Sequence, residues 1–266
     1  MQPNGHHPDN TSQTLPESHV YENGSFPTPT KERLEDAARR GIDATVMRYP
    51  ETGINVLIAG AGLGGLTCAL ECWRKGHNVR ILDRSPGPLW TGDSVQIQPS
   101  AILVLRHWPD MSYEIEENQY DVAMSYYEQT GERIWGPAPP MFNDPENKVG
   151  RRGFPSVNAH SRIKLYRAFI SQNERLGIKI EWGAKVNDYW EDIEQGLGGV
   201  VLENGEKRSA DIVVADDGLR TKSNTIVPGM PKELKSSGKA IYRAGFPVEN
   251  ALADPTVQEM WKFGRE

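Results

Sequence analysis

Cysteine is nearly absent from this chain: there are two in 266 residues, Cys68 and Cys72, four positions apart. Such a pair shares one face of a helix, where a disulfide would need distorted geometry, and a thiolate zinc site would lack ligands. The pair reads as two small side chains packing on a sheet, and the scarcity fits a reducing intracellular, cytoplasmic setting. Positive charge is also in deficit, with 30 basic against 36 acidic residues and a net charge of -6. No basic run with interleaved aromatics occurs, so neither nucleic acid nor an anionic membrane surface is expected as a partner. Long apolar runs are missing too. The most apolar stretch, residues 54 to 70, is too short and too rich in glycine to span a bilayer. The first residues lack the charged and apolar regions of a secretory leader. Histidines are few and have no ligand spacing, so no metal site is expected. No Ser/His/Asp or Cys/His arrangement is visible, which leaves no candidate nucleophile.

What the chain does have is one dense run of meaning between residues 54 and 84. Ile54, Val56 and Ile58 alternate as in a buried strand, and the strand runs into Gly60-x-Gly62-x-x-Gly65. An apolar helical stretch follows, then a second strand through Val79 and Ile81 that ends on Asp83. This order is that of a dinucleotide-binding βαβ unit. Gly60 permits the tight turn, and Gly62 lets the backbone approach a pyrophosphate. That anion is favoured by the free N–H groups and positive dipole end of the next helix. Gly65 lets the helix lie close to the sheet, and Asp83 is placed to accept hydrogen bonds from an adenosine ribose.

Around this unit the chain divides into three parts. Residues 1–48 are polar, rich in proline near the start and expected to be mostly disordered, with a short helix over residues 30–40. Residues 49–230 form the nucleotide-binding domain, and 231–266 begin a further domain. A helix is expected from about residue 99 to 108, a hairpin from 124–128 and 133–135, and a long connection over 136–156. Residues 161–176 carry a helical pattern stopped by Gly177. Strands follow at 178–182, 184–189, 199–203 and 210–215, with Asn204-Gly205 as a hairpin turn, and another is expected at 240–246.

Several landmarks recur in order: the glycine-rich unit ending in Asp83-Arg84, then Gly92-Asp-Ser94-Val-Gln before Pro99-Ser-Ala, then Arg162-Ile-Lys-Leu165, then Ala215-Asp216-Asp217-Gly218, and last Tyr242-Arg243. Together they resemble the FAD-dependent monooxygenases of the para-hydroxybenzoate hydroxylase fold, in the salicylate-hydroxylase-like branch. The resemblance covers residue 52 to about 250. It implies an α/β fold: a FAD-binding, Rossmann-like βαβ domain with β-rich insertions and the start of a truncated substrate domain. It also implies FAD as cofactor, NADH or NADPH as electron donor, and O2-dependent hydroxylation of a small aromatic or polyketide-like substrate in secondary metabolism. The implied cofactor residues are Gly60, Gly62, Gly65, Asp83, Arg84, Ser94, Arg162, Asp217 and Gly218. Tyr242 is the one candidate catalytic side chain, as a phenol orienting the substrate.

The departures from the family pattern are specific. Asp83 stands where Glu is more usual, and Ser94 replaces a loop glycine. Asp216 replaces a small alanine; as a second carboxylate beside Asp217 it would repel phosphate unless it points to solvent. The family also continues beyond the length of this chain, through a Gly-Asp motif that binds the ribityl chain. Two alternatives follow: an inactive or weakly FAD-binding fragment giving only uncoupled NAD(P)H oxidation, or another flavoprotein oxidoreductase. A halogenase would carry a Trp-x-Trp-x-Ile-Pro signature, which is not found. Oligomeric state is not legible in the sequence.

Overall fold

The computed structural model describes residues 35, 46, 48–97, 101, 104, 105, 107–120, 124–138, 159–227, 235–242 and 247–258. Its centre is a four-stranded parallel sheet in the order β12-β1-β2-β8, built from β1 (Asn55–Ala59), β2 (Asn78–Asp83), β8 (Lys179–Trp182) and β12 (Ile212–Ala215). β1 lies between β2 and β12, with Ala59 opposite Leu82 on one side and Ala215 on the other. Helix α1 (Leu63–Arg74) connects β1 to β2.

Successive side chains of β1 point to opposite faces, and both faces are covered. Val56 and Ile58 pack with Leu66, Ala69 and Leu70 of α1 and with Leu165, Phe169 and Ile170 of α3 (Arg162–Arg175). Leu57 and Leu82 face the other way, toward Val200, Leu202 and Ala210. Those last residues belong to an antiparallel sheet, β9 (Val186–Asp192), β10 (Leu197–Leu202) and β11 (Lys207–Ala210), in the order β11-β10-β9. Burial on both sides accounts for the unbroken apolar run of β1.

Buried Asn173 joins the two helices. Its Nδ2 donates to the Leu66 carbonyl of α1 at 3.3 Å and to Phe169 of its own helix at 2.9 Å. A small antiparallel sheet, β3 (Ser94–Gln96), β7 (Ala159–Ser161) and β4 (Gln119–Tyr120), has β7 at its centre and leads directly into α3. The hairpin is present as β5 (Met124–Tyr127) and β6 (Arg133–Ala138), and the 136–156 connection lies largely outside the described residues.

The helix expected at 161–176 is α3, with Ser161 as N-cap accepting from the Lys164 N–H. Three expectations need correction, and one element was not expected. The strand drawn through 210–215 is two strands from different sheets, broken at exposed Asp211, which accepts the Asn55 N–H at 2.7 Å. The strand drawn at 184–189 begins later and runs to Asp192. A helix not anticipated, α2 (Pro109–Glu117), buries Met111 and Ile115, and Trp108 is buried just before it. Finally, residues 240–242 form no strand, while 243–246 lie outside the described residues. A strand needs a hydrogen-bonded neighbour, and none among the described residues lies beside this segment. Of the helix at 30–40 only Glu35 is described, in helical conformation, and the remainder of 1–45 lies outside the description. Further on comes α4 (Val248–Leu252). Among the described residues no helix is long and apolar enough to cross a membrane, and no cluster of three metal-ligating side chains occurs.

Candidate functional site

The four parallel strands end at one edge of the sheet, and the residues that follow three of them make the site. β1 runs into Gly60, β2 ends on Asp83, and β12 is followed by Asp216 and Asp217. Ligands of open parallel sheets bind at this carboxyl edge.

The glycine turn is so close-packed that Gly60 and Gly65 leave no room for a Cβ. Gly60 has φ +115°, and a Cβ there would collide with the Asp216 carbonyl. A Cβ on Gly65 would collide with the Gly60 carbonyl, so the start of α1 closes directly on the turn. Gly62 differs: the nearest heavy atom to its Cβ position is the Asp216 carboxylate, at 3.6 Å. The helix N-cap, Gly62, makes no side-chain capping bond. The first amides of any α-helix lack intrahelical acceptors. At this helix end Gly65 is the one with a side-chain acceptor among the described residues, Asp216 Oδ2 at 2.6 Å.

Asp83 is half-buried, and its carboxylate shapes both loops beside it. Oδ2 accepts the Ala61 N–H of the glycine turn at 2.8 Å, and Oδ1 accepts the Ser85 N–H at 2.8 Å. An ionised carboxylate has about four acceptor positions, so lone pairs remain for a ligand hydroxyl. Arg84 next to it is exposed.

Arg162, the first residue of α3, lies over the loop that precedes β3. Its N–H donates to Asp93 at 2.8 Å, and its Nη1 donates to the Thr91 carbonyl at 2.7 Å. Gly92, with φ +127°, leaves room for the Arg162 stem, since a Cβ would come within 2.6 Å of Cδ. The loop glycine and the arginine are thus one structural unit. Ser94 opens β3 beside them.

Tyr166, one turn into α3, links these groups. Burial raises the pKa of its phenol above the usual range; the Asp83 carboxylate adds to the rise, and the Arg162 guanidinium opposes it. Asp83 and Arg162 therefore act on one phenol from elements 79 positions apart. Trp90 packs edge-on against Tyr166 at 5.8 Å, and the Arg167 guanidinium lies over the Trp90 ring at 5.0 Å. Tyr166 and Trp90 escaped the reading of the sequence, because a helical tyrosine and a loop tryptophan look like packing residues. The signal available was the position of Tyr166, four residues after Arg162 on the same helix face.

The two adjacent acids exchange their expected places. Asp216 does not point to solvent but into the glycine turn. Asp217 has one carboxylate oxygen buried without a hydrogen-bond partner. It lies near Tyr189 of β9, whose phenol is pushed well above its ordinary pKa by burial first and by Asp217 second. Gly218 has φ +86° and provides the turn after them. Tyr242 is 98% exposed, and no described contact joins it to the glycine turn.

These residues fit a dinucleotide. No backbone blocks the face of Gly62, Gly62 gives α1 no side-chain cap, an acid sits at the β2 end, and Arg162 supplies a fixed cation on the loop before β3. Asp216 puts a carboxylate, the wrong sign for a pyrophosphate, into the turn itself.

The comparisons agree with this geometry. Residues 55–89 match a family described as FAD binding domain. Over 91% of its length the chain is 78% identical to the FAD-dependent monooxygenase fsr3 of Gibberella fujikuroi, covering 46% of that protein. It is 50% identical to the FAD-dependent monooxygenase dmxR9 of a Cryptosporiopsis species, over 82% of this chain and 43% of that one. The solved structure of CtdE in complex with FAD superposes with a TM-score of 0.60 at 29% identity, over 75% of this chain and 47% of that one. The chain spans a little under half the length of the curated relatives it matches. Over the part it spans, in sequence and in fold, the chain is similar to FAD-dependent monooxygenases.

Proposed function

We propose that this chain is the FAD-holding part of a monooxygenase that uses NADH or NADPH and O2 to hydroxylate a small aromatic or polyketide-like molecule in secondary metabolism. The observation that carries the reading is the convergence of the side-chain-free Gly60–Gly62–Gly65 turn, the start of α1 and the Asp83 carboxylate at one sheet edge. Relatives named FAD-dependent monooxygenases support the reaction class. Residues 49–230 form the nucleotide-binding unit in this reading, and 231–266 open the part that meets substrate. A cytoplasmic location accords with it.

Each residue has a stated task. Gly60 and Gly65 keep the turn tight, and Gly62 admits the pyrophosphate to the helix amides. Asp83 accepts from the ribose hydroxyls with the lone pairs left free by Ala61 and Ser85. Arg162, held on Gly92, presents a permanent cation whose planar donors suit phosphate or the flavin edge. Ser94, Arg84, Asp217 and Gly218 border the same site. Bound FAD supplies the redox chemistry, taking electrons from NAD(P)H and delivering them to O2. The protein's part is to bind, orient and shield that cofactor. Tyr242 is the candidate substrate-orienting phenol in this reading, and it stands 98% exposed.

Titration of the chain with FAD and with NAD tests the cofactor, and NAD(P)H consumption matched against hydroxylated product over a panel of phenols tests the reaction. FAD should bind more tightly than NAD. The reverse order would remove the basis of the reading.

A further inference from the structure

The Asp216 carboxylate is lodged in the turn where a dinucleotide would place its pyrophosphate. Oδ2 accepts the Gly65 N–H at 2.6 Å and lies 3.6 Å from the Cβ position of Gly62; Oδ1 lies 2.7 Å from that of Gly64. Its backbone holds it there. The Asp216 N–H donates to the Ala59 carbonyl at 2.8 Å, and its own carbonyl faces Gly60. No cation offsets this carboxylate among the ion pairs of the described residues, and the positive end of α1 is its electrostatic partner.

We propose that Asp216 is an internal anion that occupies the pyrophosphate seat and sets how tightly this chain holds FAD. In the cofactor-free protein it satisfies the Gly65 amide and keeps the turn in its binding shape. When the pyrophosphate enters, two anions compete for one helix terminus, and the carboxylate must turn away or remain at the cost of repulsion. Asp216 therefore stabilises the empty site and weakens the filled one. The consequence is a cofactor that exchanges instead of staying permanently bound. This inference rests on the reading of the site as a FAD site.

The test uses the whole chain and two substitutions, with FAD affinity read by flavin fluorescence and thermal stability read without cofactor. Asp216→Asn keeps an acceptor for Gly65 and removes the charge; Asp216→Ala removes both. Both should bind FAD about tenfold more tightly, the scale of one close like-charge contact relieved in a water-screened setting. The Ala variant should also melt at a lower temperature than the Asn variant when cofactor-free. ADP, which carries the pyrophosphate without the flavin ring, should gain as FAD does. Unchanged or weaker FAD binding in both variants would overturn the proposal, as would a gain for FAD with none for ADP. If the native chain and both variants all fail to bind FAD and ADP, the FAD reading itself falls, and the proposal with it.

Discussion

The Asp216 carboxylate and the Gly65 amide meet at 2.6 Å across 151 positions of sequence. The contact follows from register. β12 runs parallel to β1 with Ala215 opposite Ala59, so the next residue on each strand, Asp216 and Gly60, leave the sheet side by side. Side chains of consecutive extended residues point to opposite sides, which separates the two acids. Asp216 meets the turn, and Asp217 goes toward Tyr189.

The glycines of the turn should respond differently to substitution. Gly62→Val meets only an ordinary contact at 3.6 Å, so the domain should fold while the pyrophosphate is blocked. FAD binding read by flavin fluorescence should be lost relative to the native chain, with circular dichroism unchanged. Gly65→Ala would press on the Gly60 carbonyl and should cost about 1–3 kcal/mol of stability, as overpacking does. A Gly62→Val protein that binds FAD as tightly as the native chain would contradict the site.

Asp83→Ala removes the acceptor for two backbone amides, Ala61 and Ser85, and the proposed ribose contact. FAD affinity should fall by about 1.5–3 kcal/mol, the usual value of hydrogen bonds to a charged group. The cofactor-free domain should lose about 1–3 kcal/mol through the unpaired amides. Isothermal titration and urea denaturation measure the two effects separately. Loss of stability with full FAD affinity would confine Asp83 to a structural role.

Asn173→Ala should destabilise the domain by about 1–3 kcal/mol, because two buried carbonyl contacts lose their donor. The damage should concentrate at the α1–α3 contact. Hydrogen exchange should show earlier opening of α3 than in the native chain, with β9–β11 little affected.

Cys68 should be the more reactive thiol. The Cys72 thiol lies 3.9 Å away and hydrogen-bonds to it, lowering the Cys68 pKa to about 7, while burial and Asp216 act in the opposite direction. Cys72 moves upward, since the same bond favours its protonated form. Thiolate is the reactive species, so Cys68 alkylation should rise through a midpoint near pH 7. In Cys72→Ala that midpoint should shift upward. Peptide mapping after iodoacetamide treatment across pH 6–9 would show faster labelling at Cys72 if the assignment is reversed.

The sequence by itself determined the βαβ unit and its glycines, because the strand alternation, the turn and the helix are local patterns within about thirty residues. It also determined α3 with its Ser161 cap, and the Asn204-Gly205 hairpin, for the same reason. Burial of β1 on both faces, the break at Asp211 and the joining of Arg162 to Gly92 were decided only by tertiary structure. So was the choice of which acid enters the turn. Two neighbouring aspartates are equivalent in sequence composition and spacing. Only the parallel pairing of β12 with β1 sets which carboxylate faces the start of α1, and that pairing joins strands more than 150 residues apart.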